Sequence, residues 1–286
     1  MNKLTTERRI AVVQALVEGN SIRAISRMTG TAKGTVLRLV EEIGDACYGL
    51  HDRTVRNIKA KQIQADEIWS FCHAKARNVP AALQGKPGIG DLWTWVALDA
   101  DTKLAISYLV GERESGEATV FMRDLVSRLA NRVQLTTDGF SGYLRAVEQA
   151  FGWNGVDYSM LVKQYGTGRG ESFDRGYSPA VCTGAVKTWI MGEPVEAAVS
   201  TSHVERQNLT MRMQMRRFTR LTNAFSKKAE NHAHAVALHF AHYNFCRPHQ
   251  TLTRKAKGIH RTPAMAAGLT DHVWTVADLV ALLDSN

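Results

Sequence analysis

Gln62-Ile63-Gln64-Ala65-Asp66-Glu67-Ile68-Trp69-Ser70-Phe71 is the stretch whose reading decides the fold. It reads as a strand with an acidic pair embedded in it. Asp66 and Glu67 are adjacent, so on a strand they point to opposite faces of the sheet. Only one of them is then expected to reach a shared site, and Asp66 is the choice, because Glu67 shares its face with Trp69 and Phe71.

Working forward, strand-like runs recur at 92–99 and 104–110, with Asp101-Thr102 as the hairpin turn between them. Glu117 to Ala130 reads as a helix, with Val120, Phe121, Leu125, Val126 and Leu129 on one face. Arg132-Val133-Gln134-Leu135-Thr136-Thr137-Asp138 is a further strand, and Gly139 follows it. Phe140 to Phe151 reads as a helix and Asp157 to Lys163 as a strand. Three strands, helix, strand, helix, strand is the order of the ribonuclease H architecture. In a mixed sheet of that kind the first and fourth strands lie side by side, so Asp66 and Asp138 are expected to be neighbours.

Residues 164–200 form an expected insertion. Within it, Gly166-Thr167-Gly168-Arg169-Gly170 lacks the Lys-Ser/Thr of a phosphate-binding loop and reads as a flexible loop. A helix is expected from Ser202 to about Thr222, opening on His203-Val204-Glu205-Arg206-Gln207-Asn208. At the helical angle per residue, Glu205, Arg212 and Arg216 lie within about 40° of one another, while Met211, Met215 and Phe218 form a separate apolar stripe. That face carries a carboxylate followed by guanidinium groups able to grip phosphates. A second helix, Ala224 to about Phe245, contains His232, His234, His239 and His242. Zinc on His242, Cys246 and His249 is conceivable there, against the plainer reading of core-packed histidines.

Carboxylates on two strands and a helix can converge on a pair of Mg²⁺ ions, which need hard oxygen ligands. Two such ions about 3.5–4 Å apart clamp the attacking and leaving oxygens of a phosphoryl transfer. The chain has 27 acidic residues, so any three can be chosen after the fact. The case for Asp66, Asp138 and Glu205 rests on their surroundings.

Working backward, residues 6–46 read as three short helices. Ser21 is a plausible N-cap for the second, and Thr29-Gly30-Thr31 is a turn before a third helix at Ala32–Ile43. This is the helix-turn-helix pattern, and it would offer Lys33, Thr35 and Arg38 to a major groove. A small helical bundle that mediates dimerisation is the alternative. The expected organisation is a helix-turn-helix domain at 1–50, a connector at 51–61, a mixed-sheet α/β core at 62–222, and a C-terminal helical region at 223–286.

Charge follows the same division. Lys and Arg outnumber Asp and Glu by 11 to 6 in residues 1–61 and by 12 to 2 in residues 200–262, while residues 62–199 carry 13 against 16. Two basic ends flanking a slightly acidic centre suit a polyanion partner, bound in a salt-dependent way. The four cysteines are scattered without paired spacing, which suits a reducing compartment. No apolar run approaches the roughly 18–20 residues that span a bilayer, and Met1 to Arg9 has no apolar signal core. No membrane is expected, and a cytoplasmic, nucleoid-associated location is.

Asp66-Glu67-Ile68-Trp69-Ser70-Phe71, Thr137-Asp138-Gly139-Phe140 and His203-Val204-Glu205-Arg206-Gln207-Asn208 resemble the motifs of DDE transposases. The likeness covers about 62–250 and points to the family named after the first numbered bacterial insertion sequence. Tyr243-Asn244-Phe245-Cys246-Arg247-Pro248-His249 is similar to a segment common near the C-terminus of related transposases and integrases. The resemblance implies that Asp66, Asp138 and Glu205 are catalytic and bind two Mg²⁺ ions, with Mn²⁺ able to substitute. It implies double-stranded DNA partners, both terminal inverted repeats and target, and a homodimer or larger synaptic assembly. The insertion at 164–200 is longer than the family pattern leads one to expect. Two other readings stay open: a transposase-derived DNA-binding regulator without activity, and a tyrosine recombinase, for which no convincing Tyr, Arg and His set is found.

Overall fold

The structure is a computed structural model, and it describes residues 4–165, 182–219 and 222–284. Its centre is strand β1 (Gln62–Cys72), which runs antiparallel to β2 (Gly90–Asp99). β2 continues through the 101–102 turn into antiparallel β3 (Ala105–Gly111). Asp99 makes that turn, accepting from the backbone N–H groups of Asp101 and Thr102. Helix α4 (Ser115–Arg128) leads to β4 (Val133–Thr137), which pairs parallel to β1 on its other side. Helix α5 (Gly142–Phe151) leads to β5 (Val156–Tyr165), parallel to β4. The last strand, β6 (Cys182–Met191), pairs antiparallel to β5, and the sheet order is β3-β2-β1-β4-β5-β6. The expected adjacency of the first and fourth strands is therefore observed. The loop read at Gly166–Gly170 lies outside the described residues.

The period-two pattern sorts residues onto two faces. Ile63, Ala65, Trp95 and Ala97 lie in one core with Phe121 and Met122 of α4 and Tyr143 and Val147 of α5. Ile68, Val96 and Leu98 lie in the other core, with α6 (Ser202–Gln214) and α7 (Ala229–Ala241).

Helix α6 ends at Gln214, well short of the Thr222 expected. Met215 is extended, at φ −107° and ψ 112°, and Arg216–Phe218 forms a separate short turn. The cause is burial. Met215 and Phe218 join Met211 in the second core, and the chain then folds back so that Ser226 bridges to Cys72 at the end of β1. A straight helix to 222 would have carried its tail past that core. Arg216 thus leaves the helical face it was expected to share with Glu205. The same return delays the start of α7 to Ala229, and a π-helical turn, His242–Cys246, ends it.

The N-terminal helices are α1 (Thr6–Val17), α2 (Ile22–Thr29) and α3 (Lys33–Thr54). Ser21 caps α2 as expected, accepting from Ala24 N–H at 3.1 Å, and Gly30 ends it in the left-handed region at φ 66°. Helix α3 runs on past Ile43 to Thr54, because Val36, Leu39, Val40, Ile43, Cys47 and Leu50 continue a buried stripe. A Cβ at Gly44 would fall 2.4 Å from the Cβ of His234, so glycine lets α3 approach α7 closely. The core is consequently continuous from Val12 to the sheet.

Helices α8 (Gln250–Lys255), α9 (Pro263–Ala266) and α10 (Val276–Ala281) complete the chain. Among the described residues, no helix is long and apolar enough to cross a membrane.

Candidate metal centre

Register places the first two acids. Thr137 pairs with Ala65, so Asp138 leaves the end of β4 directly beside Asp66. The glycine after it carries a tight turn, in which Asp138 Oδ1 accepts from Phe140 N–H at 3.0 Å. Asp66 Oδ1 accepts from Glu67 N–H at 2.9 Å.

The third acid is brought in by two side chains on which the sequence carries no signal. Gln64 lies two residues before Asp66, on the same strand face. Its Oε1 accepts from the N–H groups of His203, at 2.7 Å, and Val204, at 3.2 Å. It thereby satisfies the start of α6, which has no side-chain cap of its own. One turn beyond Glu205, Asn208 Nδ2 donates to Asp66 Oδ2 at 2.9 Å. With both anchors made, Glu205 is held over the strand ends. Its Oε1 accepts from Thr201 Oγ1 at 2.5 Å, and its Oε2 pairs with Lys163 of β5.

Strand parity sets Glu67 apart from Asp66, yet the structure brings its carboxylate beside those of Asp66 and Asp138. Among the described residues, Asp66, Glu67 and Asp138 each offer a carboxylate oxygen within 4.8 Å of the others. Parity separates neighbours only where the sheet continues on both sides. Beyond Ala65, β4 no longer flanks β1, and carboxylate oxygens of Asp66 and Glu67 both come within 4.8 Å of one of Asp138. Glu205 stands outside this tight group, although its charge is felt by Asp66 and Asp138.

The electrostatics follow from crowding. Burial first, and then the charge of Asp138, push Asp66 up to about 7. Burial, and again Asp138, push Glu67 up to about 8. Asp138 is also raised, mainly by burial. The main relief of Glu67, and after the Phe140 N–H that of Asp138, is Arg113, missed in the sequence. Its Nε donates to Glu67 Oε1 at 3.3 Å and its Nη2 to Asp138 Oδ2 at 3.1 Å. Its guanidinium lies 4.5 Å from the ring centre of Phe140 and 5.0 Å from that of Trp93.

These residues fit divalent cations. All the donors are hard oxygens, their charges crowd one another, and the buried Glu67 Oε2 has no hydrogen-bond partner. The conceivable zinc set does not assemble among the described residues. His232 and His239 are instead buried and hydrogen-bonded, to Ser226 and Gln207.

Lys33 and Arg38 are exposed at the start of α3, with Thr35 partly so. Lys33 and Arg216 line one groove of about 920 Å³, together with Arg23, Arg217 and Lys228. Arg212 lines a second cavity, of about 520 Å³, with Lys75, Trp69 and Phe71. The Lys75 ammonium lies 5.6 Å from the Trp69 ring centre.

The C-terminal motif has a structural role. Asn244 donates to Ala105 O and accepts from Ala105 N–H, both at 3.0 Å, sealing the edge of β3. Tyr243 donates to Lys103 O at 3.0 Å.

No family model matches the chain, and no curated protein matches it. Among solved structures, the Mos1 strand transfer complex aligns at 15% identity with a TM-score of 0.24, over 55% of this chain and 59% of that one. A pre-cleavage Mos1 transpososome aligns at 12% and 0.23, over 55% and 60%. The piggyBac transposase synaptic complex with hairpin DNA aligns at 10% and 0.44, over 99% of this chain and 72% of that one. The chain thus spans about three-fifths of the length of the two Mos1 chains.

Proposed function

We propose that this protein is a DDE-type DNA transposase, a polynucleotidyl transferase that cleaves and joins DNA at the ends of an insertion sequence. The observation that carries the reading is the meeting of Asp66, within β1, and Asp138, just past the end of the neighbouring parallel strand β4, with Glu205 docked over them by Gln64 and Asn208.

Asp66, Asp138 and Glu205 would hold two Mg²⁺ ions, or Mn²⁺ in their place. Such ions, when bound, activate a water or a 3′-hydroxyl and stabilise the leaving oxygen of an in-line phosphoryl transfer. The chain's own contribution is placement. Asn208 fixes one oxygen of Asp66 and leaves the carboxylate oriented. Phe140 N–H fixes Asp138 in the same way. Arg113 offsets part of the repulsion between carboxylates and stands where a phosphate could be gripped. Helices α1–α3 would recognise terminal inverted repeats, through Lys33, Thr35 and Arg38 in a major groove. Arg212 and Arg216 would grip the DNA backbone nearer the centre, and a dimer or larger assembly would hold two ends and the target.

Purified protein with Mg²⁺ or Mn²⁺ should nick and join DNA carrying the element's ends. Asp138→Asn and Glu205→Gln should abolish both steps and keep DNA binding. Binding without cleavage in the unaltered protein would favour a transposase-derived regulator. Activity retained in either variant would sink the metal assignment.

A further inference from the structure

We propose that Glu67 is a fourth carboxylate of the metal centre, and that Arg113 holds its place until a divalent cation displaces the guanidinium. The inference rests on the metal-dependent reading above and goes beyond the three acids that reading uses.

Three observations carry it. The first is position. β4 stops at Thr137, opposite Ala65, so no strand flanks β1 on that side at Asp66 and Glu67, and both place a carboxylate oxygen within 4.8 Å of one of Asp138. The second is an unsatisfied oxygen. The Glu67 side chain is 1% exposed, its Oε1 has Arg113 at 3.3 Å, and its Oε2 has no partner. A buried carboxylate oxygen without a donor is costly, and a glutamine there would need no cation. A hard cation beside Asp66 and Asp138 would satisfy it. The third is the character of Arg113. It is 34% exposed and touches both Glu67 and Asp138, so it occupies the acids' common side while keeping a path to solvent.

Charge counting agrees. Fully ionised, as a bound cation would hold them, Asp66, Glu67, Asp138 and Glu205 carry four negative charges, and Arg113 and Lys163, paired with three of them, carry two positive ones. One divalent ion matches the remainder. A second would require the two side-chain cations to move away or an anionic phosphate to enter.

The test is Mn²⁺ binding to the full-length protein without DNA, followed by the electron paramagnetic resonance signal of free Mn²⁺ and by calorimetry. Glu67→Gln should weaken affinity by about tenfold or more. Arg113→Met keeps the apolar contact with Phe140 and Trp93 but removes the competing cation, so affinity should rise by about threefold or more. Asp66→Asn, the control, should weaken binding strongly. Glu67→Gln within about twofold of the unaltered protein, with Asp66→Asn impaired, overturns the role of Glu67. Unchanged affinity in Arg113→Met overturns the role of Arg113. If Asp66→Asn also binds normally, the metal-centre reading itself fails. Circular dichroism checks folding. Should Glu67→Gln not fold, Glu67→Asp withdraws the carboxylate by one methylene, and it must weaken binding for the proposal to stand.

Discussion

The carboxylate cluster should make the metal-free protein less stable as pH rises, the reverse of the usual behaviour of paired acids. Asp66 and Glu67 are pushed up to about 7 and about 8 in the fold, whereas an unfolded chain binds these protons only near pH 4. Between those limits the folded state holds more protons than the unfolded one, so stability falls with rising pH. The buried histidines work in the opposite sense. His51 and His242 are lowered to about 4, and His232 and His239 to about 3, so each adds stability as pH rises towards its unfolded value near 6.5. Over the window from about pH 6.5 to about pH 8 the unfolded histidines still release about half a proton each, so these four together return about 1.5 kcal/mol. Across the same window, Asp66 should cost about 1 kcal/mol and Glu67 about 2 kcal/mol. Urea unfolding in chelator at the two pH values reads this directly. Glu67→Gln should remove most of the fall and Asp66→Asn a smaller part. Divalent cation at about a hundred times its dissociation constant contributes about 2.7 kcal/mol, enough to cancel it. A pH profile over this window that is the same in Glu67→Gln and in Asp66→Asn as in the unaltered protein would refute the crowding argument.

Further outcomes follow from the same geometry. Asp138→Asn and Glu205→Gln should each lower cleavage by on the order of a thousandfold, measured by strand nicking, with DNA affinity nearly unchanged. Asn244→Ala should cost about 2–5 kcal/mol in chemical denaturation, since it strands the N–H and C=O of the fully buried Ala105. Lys33→Ala with Arg38→Ala should weaken binding to element-end DNA, measured by fluorescence anisotropy. The slope of log affinity against log salt should become shallower by about 1 for each phosphate that is no longer neutralised. Gln64→Leu should leave the sheet intact and lower activity, because α6 loses the acceptor for two of its first N–H groups. Full activity in that variant would show that Glu205 is positioned by other contacts.

Local pattern in the sequence was enough for the first five strands of the central sheet, though not for β6, which falls in the expected insertion, and for the two helices between them, the Ser21 cap and the hairpin at 101–102. Periodicity and turn chemistry report on neighbours a few residues away, and those neighbours decide such elements. Chain order then made β1 and β4 adjacent, which was enough to bring Asp66 and Asp138 together. Tertiary packing decided the rest. The end of α6 at Gln214, and with it the departure of Arg216 from the face of Glu205, depended on Met215 and Phe218 finding a core built from α7 and the sheet. The continuation of α3 to Thr54 depended on the same kind of distant partner, the backbone and side chain of His234 against Gly44. Parity sets Glu67 apart from Asp66, but that rule holds inside a sheet and lapses where the next strand ends. Gln64, Asn208 and Arg113 carry no local signal, because a polar side chain becomes an anchor only when folding places its partner opposite it.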